Sequence, residues 1–281
     1  MKKIREMKDK NKKGESIMKL KEKMTEEYLD DLLVRIAHHS TAIEGNTISL
    51  NGTISIILDD TIPGGTSKRE FYEVENHKQT IDYILKCLDN GEKLDIGIVK
   101  EVNNNLMDHL NIDKGKFKTN SNAIKGADFE TASPSQTPTL MYQWVDNLNY
   151  RLENTNSEDE KIKAILDSHI KFERIHPFSD GNGRTGRIIM MYSMLEHEIP
   201  PLVITKDFKS NYMEKLREQD VEGLFEICKP LIEKERDRIE KFFNKEKVQI
   251  KDLEKKTEEK VIKNNPWAKT KENEKDKGNE R

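Results

Sequence analysis

Two cysteines, Cys87 and Cys228, are all that this chain of 281 residues contains. They are too few for a disulfide framework and lack metal-ligand spacing, so both are expected as reduced thiols. Long apolar runs are missing as well. No stretch approaches the ~20 residues that span a bilayer, and the charged N-terminus never gives way to the apolar segment of a signal peptide. A cytoplasmic setting is the expectation. Internal repeats are absent. Only 34% of the residues are hydrophobic and 36% are charged, and much of that charge lies at the ends. Residues 1–24 carry ten Lys/Arg against four acids, and residues 245–281 carry twelve against nine. Taking those +6 and +3 from the overall −3 leaves −12 for residues 25–244. An acidic middle argues against a nucleic-acid-binding core, because phosphate backbones need a basic face. The two ends read as a flexible basic extension (1–24) and a charged, largely disordered tail (245–281).

What is present is helical periodicity. Patterns of apolar residues at spacings of three and four run through 25–44, 49–59, 68–89, 92–110, 137–153, 159–175, 184–197, 207–218 and 221–244. In 159–175 they put Ile162, Ile165, His169 and Phe172 on one stripe. The fold expected is mainly helical, with a helical region at 25–110 and a core at 111–244. The strand candidates are confined to 115–126, where short runs broken by Gly and Asn suggest a small β-hairpin.

One segment carries chemistry. Residues 176–187 read His-Pro-Phe-Ser-Asp-Gly-Asn-Gly-Arg-Thr-Gly-Arg, followed by the apolar Ile188, Ile189, Met190 and Met191. Gly181-Asn182-Gly183 opens a helix whose first N–H groups and dipole attract an anion. Arg184 and Arg187, at i and i+3, face one side and can grip different phosphates of one nucleotide. His176 is a candidate base, and Asp180 is a carboxylate able to hold a hard cation. Far upstream, Ser40 and Glu44 lie one turn apart on a helix that Gly45 ends.

The segment matches HPF-x-[DE]-GNGR-x-x-R at every specified position and resembles the signature of the Fic (Fido) family. Ser40-x-x-x-Glu44-Gly45 is similar to the inhibitory helix of members whose inhibitor lies N-terminal to the catalytic core. The resemblance implies an all-α Fic/Fido fold with a β-hairpin flap, and a protein adenylyltransferase that moves AMP from ATP to a Tyr, Thr or Ser hydroxyl. His176 would be the base and Asp180 the Mg²⁺ ligand. Gly181, Asn182, Gly183, Arg184, Thr185, Gly186 and Arg187 would hold the phosphates, and Glu44 would take Arg187 from the γ-phosphate. Tyr212 and Asp220 fall in the closing segment, around the adenosine. Lys118, Ile124, Lys125 and Gly126 fall in the flap, which positions the target by strand addition. Implied partners are a target protein, the chain itself through self-modification, and further copies in a homo-oligomer. The winged-helix DNA-binding module of some relatives has no counterpart in the short polar tail. Three alternatives stand: transfer of phosphate or phosphocholine, as in members with altered motifs, against which the intact Asp180 and Gly183 speak; an AMP-removing enzyme that uses Glu44 to orient water; and a non-enzymatic nucleotide-binding regulatory module. The last has no use for His176.

Overall fold

The structure is a computed structural model, and it describes residues 19–123 and 129–263. Ten α-helices and one 3₁₀ turn make up its regular structure. They are α1 (Leu20–Lys23), α2 (Glu26–Glu44), α3 (Leu50–Ile57), α4 (Lys68–Asp89), α5 (Ile96–Leu106), α6 (Thr137–Glu153), α7 (Glu158–Ile175), α8 (Asn182–Glu196), α9 (Lys209–Glu218) and α10 (Val221–Lys263), with the 3₁₀ turn at Lys206–Phe208. Four of the starts follow from capping chemistry. The side chains of Thr25, Ser49, Ser67 and Asp95 accept the N–H of Tyr28, Gly52, Glu70 and Ile98 and so satisfy donors that the first turns leave open.

The mean composition hides how apolar one element is. In α8, Ile188, Ile189, Met190, Met191, Tyr192 and Met194 are all buried, each contributing about 1.5–3 kcal/mol of burial. An element apolar on every side belongs at the centre, and α8 packs against α7, α5, α4 and α2 together. The stripe Ile162, Ile165, His169 and Phe172 on α7 is buried against it. The loop between α7 and α8 therefore has two fixed ends.

α2 is fixed by a polar clamp to α10. Tyr28 donates its hydroxyl to Glu235 at 2.8 Å, Arg35 reaches the same carboxylate with two N–H groups at 2.8 and 2.7 Å, and Arg238 binds Asp31 at 2.7 Å. At the other end Gly45 adopts φ 105°, left-handed backbone that a glycine takes without strain. Its N–H and that of Asn46 close onto Ala42 and Thr41 carbonyls, a Schellman-type stop. That stop leaves Glu44 as the last helical residue, pointed at α8.

The expected flap hairpin is not formed among the described residues, which contain no strand. Phe117 pairs instead across an antiparallel bridge with Phe178 of the α7–α8 loop. The reason is visible in the hydrogen bonds: the Lys118 N–H goes to the Pro177 carbonyl at 2.8 Å, and the Asn122 amide to the His176 and Phe178 carbonyls at 3.2 and 2.8 Å. Ile124, Lys125 and Gly126 lie outside the described residues. No helix among the described residues is long and apolar enough to cross a membrane.

Candidate active site

The α7–α8 loop is built by its own side chains. Asn182 accepts the Phe178 N–H and donates to the Phe178 carbonyl, both at 2.8 Å, folding the loop back on itself. Gly181 takes φ 80°, and a Cβ there would stand 2.5 Å from Met107 Sδ. Asn103 of α5 ties the loop from below: its amide donates to the Asp180 carbonyl and to Thr185 Oγ1, each at 3.1 Å, and its oxygen accepts the Gly115 N–H at 2.9 Å.

His176 ends α7 in left-handed backbone, φ 51°. Its Nδ1 lies 3.3 Å from the Glu173 carbonyl. A carbonyl can only accept, so this contact puts the proton on Nδ1 and leaves the lone pair on Nε2. Burial pushes the imidazole down to about 4, so it is neutral at neutral pH and its Nε2 lone pair is open to a proton. Asp180 is 40% exposed at its side chain. One oxygen accepts the Gly181 N–H at 2.6 Å and the other Arg69 Nη2 at 3.2 Å.

The two motif arginines sit deeper. Arg184 is 3% exposed, and its Nε and Nη1 are buried without a hydrogen-bond partner. The carboxylates of Glu73 and Asp180 stand 3.8 and 3.7 Å from its terminal nitrogens. A buried guanidinium with open donors is costly unless an anion fills the space. Arg187 is satisfied differently. Its Nε donates to Ser40 Oγ at 3.0 Å, and its Nη2 to the Ser40 carbonyl at 2.9 Å and to Glu44 Oε1 at 2.7 Å. Burial alone would raise the Glu44 carboxyl, but the Arg187 guanidinium outweighs it and holds the group below the usual carboxylate range. A Cβ at Gly183 would run into that same Glu44 oxygen, so the carboxylate lies against the N-terminus of α8.

Other expected positions sort as follows. Tyr212 is 1% exposed and shares a 2.5 Å hydrogen bond with His169 Nε2. Burial pushes its hydroxyl far above the ordinary value, and Arg187 works against that rise. Asp220 accepts the Gly223 N–H at 2.8 Å and pairs with Lys215 at 3.0 Å, as the cap of α10. Lys118 is 4% exposed and binds Asn122, Thr131 and the Ile175 carbonyl at 2.7, 3.1 and 3.1 Å, its ammonium lowered to about 8 by burial. Sequence reasoning missed Asn103, Arg69, Glu73 and Asn122. The first three sit more than 70 residues before the motif and carry no local signal; Asn122 belonged to the flap reading, where its amide had no assigned use. A cavity of about 570 Å³ between α6 and α7 is lined by Trp144, Leu148, Lys171 and Arg174 and touches no motif residue. The chemistry, and not the hollow, marks the site.

Residues 93–194 match the model of the Fic/DOC family, so the helices that carry the motif and Asn103 form a Fic/DOC domain. The chain is 30% identical over 181 residues to protein adenylyltransferase Fic of Drosophila willistoni, and 29% over 182 residues to protein adenylyltransferase fic-1 of Caenorhabditis elegans. Each match covers 64% of this chain and 35% of the relative, so the chain spans about a third of the length of the curated relatives it matches. A Fic-domain signalling protein from Bacteroides thetaiotaomicron superposes with a TM-score of 0.64 at 23% identity, over 77% of this chain and 85% of that one. C. elegans Fic-1 gives 0.62 at 22%, over 88% and 72%. The architecture is that of the Fic fold.

Proposed function

We propose that the chain is a protein adenylyltransferase that transfers AMP from ATP to a Tyr, Thr or Ser hydroxyl of a target protein and is held slow by Glu44. The observation that carries this reading is the pair of buried arginines at the N-terminus of α8: Arg184 with open N–H groups, Arg187 occupied by a carboxylate. In the reaction the hydroxyl oxygen bonds to the α-phosphorus and the bond to the β-phosphate oxygen breaks. Pyrophosphate leaves with that electron pair, and the proton goes to Nε2 of His176. Arg184 and the α8 amides at Gly181, Asn182 and Gly183 meet charge at the α- and β-phosphates, with Thr185 and Gly186 continuing the turn. Arg187 is the donor for the γ-phosphate, and Glu44 and the phosphate compete for it.

Asp180 fits Mg²⁺ as a single protein ligand. Its carboxylate is partly exposed, its Oδ2 is engaged by the exposed guanidinium of Arg69, and Mg²⁺ takes its other ligands from phosphate oxygens and water. The ion would supply charge neutralisation on the phosphates. The partners inferred are the target protein, the chain itself as an acceptor, and further copies of it. Flap residues Lys118 to Gly126 would present the target hydroxyl, and the closing segment from Tyr212 to Asp220 would border the nucleoside. The free, buried thiols of Cys87 and Cys228 suit a cytoplasmic setting.

The test is transfer of α-labelled AMP from Mg-ATP to proteins of a lysate by Glu44→Gly, with Glu44→Gly/His176→Ala beside it. Label that appears with the first and not the second supports the reading. Absence of label from both overturns it. One observation favours a second role. The Glu44 side chain is 39% exposed, which suits a role in water-driven removal of AMP. In that reading, release of AMP from labelled target is the step lost in Glu44→Gly.

A further inference from the structure

Behind His176 lies a carboxyl group that the mechanism above leaves unused. Glu173, on the last turn of α7, is largely buried, and its Oε1 has no hydrogen-bond partner. Its Oε2 stands 3.9 Å from Nδ1 of His176, the ring atom that its own backbone carbonyl already engages at 3.3 Å. Room for the side chain exists because residue 186 is glycine: a Cβ there would come within 2.7 Å of Glu173 Oε1 and 2.9 Å of His169 Cε1. A buried carboxyl oxygen with nothing to bond costs free energy in any fold. It is explained if a charge arises beside it at some point in the reaction.

Such a charge does arise. When His176 takes the hydroxyl proton on Nε2 its ring becomes an imidazolium, with the positive charge shared with Nδ1. Resting on the adenylyltransferase reading, we propose that Glu173 is the positioning residue for His176: its carbonyl sets the tautomer, and its carboxylate, lodged in the space over Gly186, stabilises the imidazolium formed on proton transfer. The arrangement resembles in its logic the carboxylate behind a catalytic histidine, where a second group orients the ring and meets the new charge.

The groups that face this carboxyl decide when it is charged. From α7 come His169 and His176; from α8, Arg187; from α2, Glu44; from α9, Tyr212; and the charges of Lys118 and Asp180 act on His176. Burial pushes Glu173 up to about 7; Arg187 works against that rise and Glu44 adds to it. The Glu44 carboxylate that pairs with Arg187 thus also adds to the rise that burial begins at Glu173. Removal of Glu44 leaves Arg187 beside Glu173, free to draw out its charge.

The experiment follows the His176 ring nitrogens by NMR across pH in full-length Glu44→Gly labelled at histidine, alongside kcat and KM for Mg-ATP. The His176 signal should carry a second step from Glu173, at a pH below that seen in wild type. Glu44→Gly/Glu173→Gln should lose that step, and its kcat should fall about tenfold with KM for ATP within about twofold. Glu173→Asp should restore part of the rate. A His176 titration without the second step in Glu44→Gly overturns the proposal and needs no further variant to fold. So does an unchanged kcat in the Gln variant. If Glu44→Gly transfers no AMP, the adenylyltransferase reading fails by itself, and the NMR titration still reports whether Glu173 and His176 are coupled.

Discussion

Replacing Glu44 by glycine takes one partner from a buried guanidinium and opens the N-terminus of α8. The bond lost is charge-assisted, Arg187 Nη2 to Glu44 Oε1 at 2.7 Å, and bonds of this kind contribute about 1.5–3 kcal/mol. Arg187 is 8% exposed but Glu44 39% at its side chain, so solvent screens the pair and the lower end of that range applies. About 1.4 kcal/mol is a factor of ten, and the wild type should therefore transfer AMP roughly tenfold more slowly than Glu44→Gly. Ser40 still holds Arg187 by two bonds at 3.0 and 2.9 Å, so the freed arginine stays in place to receive phosphate. Glu44→Gln keeps the size and one hydrogen bond while removing the charge, and should fall between the two, at roughly a three- to fivefold gain. The assay is the initial rate of pyrophosphate release at saturating Mg-ATP. Because Glu44 is held below the ordinary 4.5 by Arg187, the brake is fully set above that pH and is released only as pH falls through the depressed value. Equal rates for wild type and Glu44→Gly, with equal affinity for ATP, would refute the competition argument. So would Glu44→Gln exceeding Glu44→Gly.

Three further outcomes follow from the same geometry. With Mg-ATP, Glu44→Gly/Glu173→Gln should keep a flat kcat/KM from pH 8 to about 5, because His176 titrates near 4 and not at its ordinary 6.5; an acid limb at 6.5 would contradict this. Glu173 is raised from 4.5 to about 7, so the unfolded chain gives up its proton first and stability falls as pH rises from 4.5 to 7. At 1.36 kcal/mol per pH unit the cost above pH 7 is on the order of 3 kcal/mol. Glu173→Gln should accordingly gain several degrees of Tm over wild type at pH 8 and little at pH 4.5, whereas an equal change at both pH values would count against the buried-carboxyl account. Asn103→Ala leaves the Gly115 N–H and Thr185 Oγ1 without their partner, which should destabilise the fold by about 1–3 kcal/mol in urea melts and loosen the motif loop; a change under ~0.5 kcal/mol would argue that the loop does not depend on it.

Helices were legible in the sequence where an apolar stripe repeats at the helical period. The 3.6-residue pattern of 68–89 and 137–153 predicts α4 and α6 to the residue; Ser67 caps the first, while the second starts without a side-chain cap. The pairing of Glu44 with Arg187 is legible too, though only through the resemblance, because 143 residues separate the two. The docking of the expected flap on the motif loop was not legible. Gly and Asn breaks predict a turn, but nothing local tells that the arm from Phe117 to Asn122 spends its hydrogen bonds on residues 175–178. Tyr212 shows the same limit: its hydroxyl goes to His169, across 43 residues. Long-range polar partners of this kind are chosen by packing, and the packing is a property of the whole chain. Glu173 lay in plain view three residues before His176, and its relevance depends on Gly186 leaving room for it.

The measurement closest to the central claim is intact-protein mass spectrometry after incubation with Mg-ATP, on wild type, Glu44→Gly and Glu44→Gly/His176→Ala, each with and without added lysate as a source of acceptor. The account predicts AMP adducts, on the chain or on a lysate protein, with Glu44→Gly, few with wild type and none with the double variant. Adducts that persist without His176, or their absence from Glu44→Gly with every acceptor while ATP still binds, would contradict it.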